Sequence, residues 1–287
     1  MITDLKDNLP DIQGTEPEFQ RPIQQVGVSS VKLPMLLQGK DSDEFYSIPA
    51  NVSLRVSLKD SIKGISMSRL TRALIGYLDK PLKKSLIKVL LNELCEKVES
   101  EHAFIKFEFE LPINRDSPIS DYSFPIYHKC SFEGHLENGN FRFFQKTVVQ
   151  YSSYCPCSTE LCRDLGSKGH QGFPHAQRCF AHVTIEQDVN NTIWLEDIIH
   201  EIETAAVNLP IVVIKRPDEQ ELARIAGTSQ FFVEDVIRRI GQNLDSVVGV
   251  KDYYIKCIHE ESIHTSDAIA IMYKGVPGGF DNTYDFI

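Results

Sequence analysis

The chain has 287 residues, 42% of them hydrophobic and 24% charged, with 16 Gly and 14 Pro in no biased tract. That length makes one large domain or two ordinary ones, and the composition excludes collagen-like, disordered and coiled-coil architectures. A net charge of −10, from 30 basic and 40 acidic residues, argues against nucleic-acid and anionic-membrane partners and asks a locally basic pocket of any anionic ligand. The opening MITDLKDNLPDIQ has acids where a signal peptide has a basic start and an apolar core, and no apolar run approaches the roughly 20 residues of a membrane span. A cytoplasmic protein is expected. The seven cysteines are an odd set, which points to metal or thiol chemistry rather than a disulfide scaffold.

Residues 1–25, rich in Pro, Gln and acids, predict an irregular arm. Val52, Leu54, Val56 and Leu58 then alternate with polar residues, the period of a half-buried strand. A helix is predicted from Met67 to Leu78, and another over 84–98, where Leu86, Ile87, Leu90, Leu91, Leu94 and Val98 share a face. Ile105, Phe107, Phe109 and Leu111 restore the strand period, and further strand follows to about 151. The second half repeats the order. Cys179, Ala181, Val183 and Ile185 predict a strand; helices follow at 194–206 and 217–244, the latter interrupted near Gly227; strands at 252–259 and 267–274 close the chain. Paired helices between paired strands predict an α+β fold of two ββααββ units, 26–150 and 151–287, with antiparallel sheet and helices on one face.

The segment from Tyr151 to Cys179, YSSYCPCSTELCRDLGSKGHQGFPHAQRC, holds four cysteines and two histidines in 29 residues. Its Gly and Pro content predicts irregular backbone, and such reactive loops sit where chemistry happens. Cys-Pro-Cys is neither the thioredoxin nor the zinc-ribbon spacing. Two plain readings stand beside a catalytic one: a closed structural zinc site of Cys155, Cys157, Cys162 and Cys179, or unliganded buried thiols. Cys95, Cys130 and Cys257 read as core. His102, His128, His135, His200 and His259 read as satisfied or exposed, whereas His175 in the loop and His264 beside Glu260 and Glu261 stand out.

CPCS with a downstream HAQR, then KRPDE, FFVED and ESIH, in that order, resembles the prokaryotic type IB GTP cyclohydrolase I family. LPDIQ, VGVSSVKLPM and KGISMSR fit as well, so the resemblance runs from about residue 9 to residue 275. It implies a metal site of Cys155, His175, Glu219 and His264, holding one divalent ion of Zn, Mn or Fe. It makes Cys157 the active-site thiol, Glu234 the carboxylate that takes the guanine edge, and Glu261 a further catalytic carboxylate. Lys63, Ser68, Arg69, Lys215 and Arg216 become candidates for the triphosphate. The implied fold is the tunnelling fold: tandem units whose barrels are completed by oligomerisation, as a homotetramer.

The implied reaction opens the imidazole ring of GTP, releases formate and gives 7,8-dihydroneopterin triphosphate, the first step toward tetrahydrofolate or, in a branch, a modified tRNA base such as queuosine. Three other readings compete: an archaeal-type cyclohydrolase giving a cyclic phosphate, a nitrile reductase of the same fold, and a non-catalytic zinc-stabilised assembly module. The chain departs from the family in two places. Ile65 and Ser66 stand where Thr-His usually precedes MSR, and the CPCS–HAQR stretch is longer, so that His170 competes with His175 as ligand.

Overall fold

The computed structural model describes residues 12–40 and 44–284. Positions 1–11 of the expected arm, with Leu9, Pro10 and Asp11 of the LPDIQ motif, lie outside the described residues. Among the described residues there are eight strands, and the pairings of the first with the second, the second with the third, the sixth with the seventh and the seventh with the eighth are antiparallel. The chain divides into two compact units, Met1–Phe109 with Phe132–Phe143, and Glu110–Ser131 with Phe144–Ile287.

In the first unit β1 (Ile23–Gln38) pairs with β2 (Phe45–Leu58), followed by α1 (Met67–Ile75), α2 (Lys84–Val98) and β3 (His102–Asp116, as far as Phe109). The period-2 pattern of β2 buries Ile48, Ala50, Val52, Leu54, Val56 and Leu58 on one face. The 3.6 period of α2 buries Ile87, Leu90, Leu91 and Leu94. On β4 (Ser123–Glu137), Gly134 leaves the space that Ile87 occupies: a Cβ there would overlap the Ile87 side chain.

The second unit contains β5 (Asn140–Tyr154, from Phe144), α3 (Pro156–Ser167), β6 (Ala176–Gln187), α4 (Leu195–Ala206), α5 (Arg216–Thr228), α6 (Val233–Ser246), β7 (Val250–Glu261) and β8 (Ala268–Tyr273). Cys179, Ala181, Val183 and Ile185 of β6 are fully buried, and α6 packs against α4, β7 and β8 through Val236, Ile237, Ile240 and Leu244. One expectation changes. The cysteine segment is not irregular throughout: Tyr151–Tyr154 end β5, and α3 follows at once, because Pro156 at its first position has the right fixed φ and no N–H to waste. The interruption expected near Gly227 in the 217–244 helix falls at 229–232, between α5 and α6. Among the described residues, no helix is long and apolar enough to cross a membrane.

Candidate active site

Cys155 joins the start of α3 to the start of β6. This residue caps α3, where its Sγ accepts from the Ser158 N–H at 3.5 Å. Its own N–H donates to the His175 carbonyl at 3.2 Å, which sets the start of α3 beside the start of β6. Cys157, two residues on, is exposed in the first helical turn, whereas Cys155 is half-buried. The two thiols of the motif therefore have different environments. His170 sits beyond the far end of α3, whose 12 residues rise about 1.5 Å each, so it is a helix length from Cys155.

Across β6 and β7, Gln177 is the register partner of Glu261. The Gln177 Nε2 donates to Glu261 Oε1 at 2.9 Å, and Glu261 Oε2 lies 3.6 Å from His175 Nδ1. Neither of those last two atoms has a hydrogen-bond partner, although both are buried. Behind them His259, 1% exposed, meets the fully buried Tyr151 hydroxyl at 2.9 Å. Burial pushes the His259 imidazole down to about 4, against the opposing pull of the Glu261 and Glu234 carboxylates nearby. Glu234 itself is exposed in the first turn of α6. The thiols of Cys179 and Cys257 are pushed up by burial, Cys257 to about 12, which fits the reading of Cys257 as inert core.

The other predicted residues are placed as follows. Glu219 is exposed on the first turn of α5, and His264 is exposed between β7 and β8. Among the described residues no group of three or more His, Cys, Asp or Glu is assembled closely enough to hold a metal. That applies equally to Cys155, His175, Glu219 and His264 and to the four-cysteine alternative. Lys215 lies with its Nζ 4.9 Å from the Tyr122 ring centroid, and Arg216 is exposed. Lys63, Ser68 and Arg69 are exposed in the first unit, around the start of α1. Ser66 caps that helix and Ile65 is buried, and the Gln13 amide donates to the Ile65 carbonyl at 3.1 Å.

Sequence reasoning passed over Asp218. It is fully buried and accepts from the N–H groups of Ile119, Ser120 and Lys215 at 2.9, 2.8 and 2.7 Å and from the Ser120 hydroxyl at 2.5 Å. Burial would raise its pKa, but these hydrogen bonds outweigh that and hold it well below the usual carboxylate range. Asp218 so ties the loop at 117–120 to the start of α5, where Lys215, Arg216 and Glu219 sit. An acid at the third position after a Pro-bearing helix start was the available signal.

The order of motifs around this geometry has a counterpart in known proteins. A model of the type I GTP cyclohydrolase folE2 family matches residues 9–270. The chain belongs to that family. Its relatives include GTP cyclohydrolase FolE2 of Hydrogenovibrio crunogenus, 33% identical over 291 residues, 91% of this chain and 93% of that one. GTP cyclohydrolase FolE2 of Azoarcus sp. is 29% identical over 273 residues, 95% and 97% of the two chains. In fold, this folE2 family member is similar to a uricase from Arthrobacter globiformis, with a TM-score of 0.58, 6% identity and coverage of 92% and 97%. At that identity the likeness concerns the fold alone, and it agrees with the tunnelling type.

The two buried histidines of the second unit make an acid-side prediction. Burial holds His128, like His259, at about 4, against an ordinary value near 6.5. Between those values the unfolded chain takes up protons that the folded chain refuses. Stability is therefore full above about 6.5 and is lost as pH falls toward 4, by on the order of 3 kcal/mol for each group at the acid end. Denaturant unfolding at pH 7.5 and pH 5 should show the lower midpoint at pH 5. Equal midpoints would contradict this account of the two imidazoles.

Proposed function

We infer that the chain is a GTP cyclohydrolase: it opens the imidazole ring of GTP by hydrolysis, releases formate and recloses the product to 7,8-dihydroneopterin triphosphate in folate biosynthesis. The observation that carries this is family membership over residues 9–270, with CPCS, HAQR, RPDE, FVED and ESIH all present in order.

We assign one divalent ion, Zn, Mn or Fe, to Cys155, His175, Glu219 and His264. A thiolate, two imidazoles and a carboxylate suit any of the three. The buried, unpartnered Nδ1 of His175, beside Cys155 and opposite a carboxylate, supports a ring held ready for a cation. When bound, such an ion supplies a water whose pKa falls from about 15.7 to about 7, which provides a nucleophile at neutral pH. Cys157, exposed two residues after Cys155, is assigned the delivery of a proton to ring nitrogen as the imidazole opens. Glu234 offers a forked acceptor to the guanine N1–H and 2-amino group. Lys215 and Arg216, with Lys63, Ser68 and Arg69 at α1, are assigned to the triphosphate.

The exposure of Glu219 and His264 supports a site completed in an assembly of tandem units, expected to be a homotetramer. So does β8, which ends the strand order and leaves Ile269 and Ile271 exposed at 54% and 43%. Purified protein given GTP and a divalent ion should release formate. Cys155→Ala should lower metal affinity at least tenfold, by analogy with the cost of losing even outer partners, and turnover with it. Full metal content and full turnover in that variant would overturn the ligand assignment.

A further inference from the structure

Gln177 lies among the groups at the start of β6, and no step of the chemistry above uses it. It is 7% exposed, and its amide is spent on one carboxylate oxygen of Glu261, its cross-strand partner. That bond holds Oε1 and leaves Oε2 facing His175 Nδ1. Both Oε2 and Nδ1 are buried without a hydrogen-bond partner, a state that costs free energy unless each serves the other or a ligand.

We propose that Gln177 is a positioning residue that acts through Glu261 to orient the His175 imidazole. The carboxylate facing Nδ1 draws the ring proton to that nitrogen and leaves the Nε2 lone pair free. Gln177 prevents Glu261 from swinging away, because β6 and β7 lock the two residues in register. The proposal rests on the reading of His175 as a metal ligand, and it gives Glu261 a role beside that ligand.

The test uses the full-length protein and Gln177→Met, which keeps length and removes the amide. Zn²⁺ affinity is measured by chelator competition, and the tautomer of His175 by ¹⁵N-histidine spectra of the chelator-stripped protein. The wild type should hold His175 in the Nδ1–H form. Gln177→Met should lose that preference and bind Zn²⁺ 10- to 100-fold more weakly, the usual cost of an outer-shell partner. In a Glu261→Ala background the same substitution should cost nothing further, because its effect passes through Glu261. An unchanged tautomer with unchanged affinity, or losses that simply add in the double variant, would overturn the proposal. Should Gln177→Met not fold, Gln177→Asn withdraws the amide by one methylene and is read by the same outcomes. If the wild type binds no divalent ion, the functional reading falls, and the tautomer comparison alone decides whether Gln177 orients His175.

Discussion

Cys157→Ala should keep its metal, its fold and its GTP binding, and lose ring opening by 10²–10⁴-fold. That range is the usual worth of a positioned proton donor, equivalent to about 3–5 kcal/mol of transition-state stabilisation. The expectation follows from the local backbone. Pro156 fixes φ at the first position of α3, so Cys155 is left as the cap, with its Sγ turned back to the Ser158 N–H, and Cys157 stands exposed one position further round the turn. Cys155 is thus tied to the His175 strand, and Cys157 is free to meet a substrate. A closed structural zinc site predicts the reverse, since both thiolates would hold the ion and either substitution would release it. Metal analysis of Cys157→Ala beside formate release separates the two readings. Lost metal, or normal formate, refutes the division of labour.

A large loss of stability is expected at Asp252, near the start of the strand that ends in Glu261. Asp252 is fully buried and accepts from the N–H groups of Tyr253 and Gly275 at 2.9 Å and Phe280 at 2.8 Å. It fastens the turn after β8 and seats Phe280 against Phe144 and Tyr254. Asp252→Ala leaves three backbone donors without a partner, at about 1 kcal/mol or more apiece, for a total on the order of 3 kcal/mol. The melting temperature should fall by about 6–12 °C. Gly279→Ala should act on the same contact from the other side, because a Cβ there would overlap the Asp252 carboxylate. Thermal unfolding of both variants, with formate release at 25 °C as a control for the site, checks the prediction. An unchanged melting temperature in Asp252→Ala would contradict it.

Periodicity made much of the fold legible. The alternation in β2, the apolar face of α2 over Lys84–Val98 and the buried run of β6 are one-dimensional patterns that local burial preserves. The helix α3 was hidden because cysteine is an unusual cap and the following Gly-rich stretch reads as loop, although Pro156 marked its start. The motif order pointed to the site residues by resemblance, but their distances are set by contacts that no local pattern carries. His175 reaches Cys155 through a backbone bond across the α3 segment. Gln177 meets Glu261 across 84 residues, and Asp218 meets Ile119 across 99. Residues of this kind hold functional groups in place without themselves having reactive chemistry, so composition and spacing pass them by.

Conversion of GTP to formate and an intact triphosphate-bearing pterin is measured by incubating the purified protein with GTP and Zn²⁺, Mn²⁺ or Fe²⁺ in turn and quantifying formate and pterin products together. A GTP cyclohydrolase should release one formate for each GTP consumed, with 7,8-dihydroneopterin triphosphate as the product and no release of phosphate. A cyclic phosphate product would move the chain to the archaeal-type reaction, and GTP left intact with every metal would overturn the assignment.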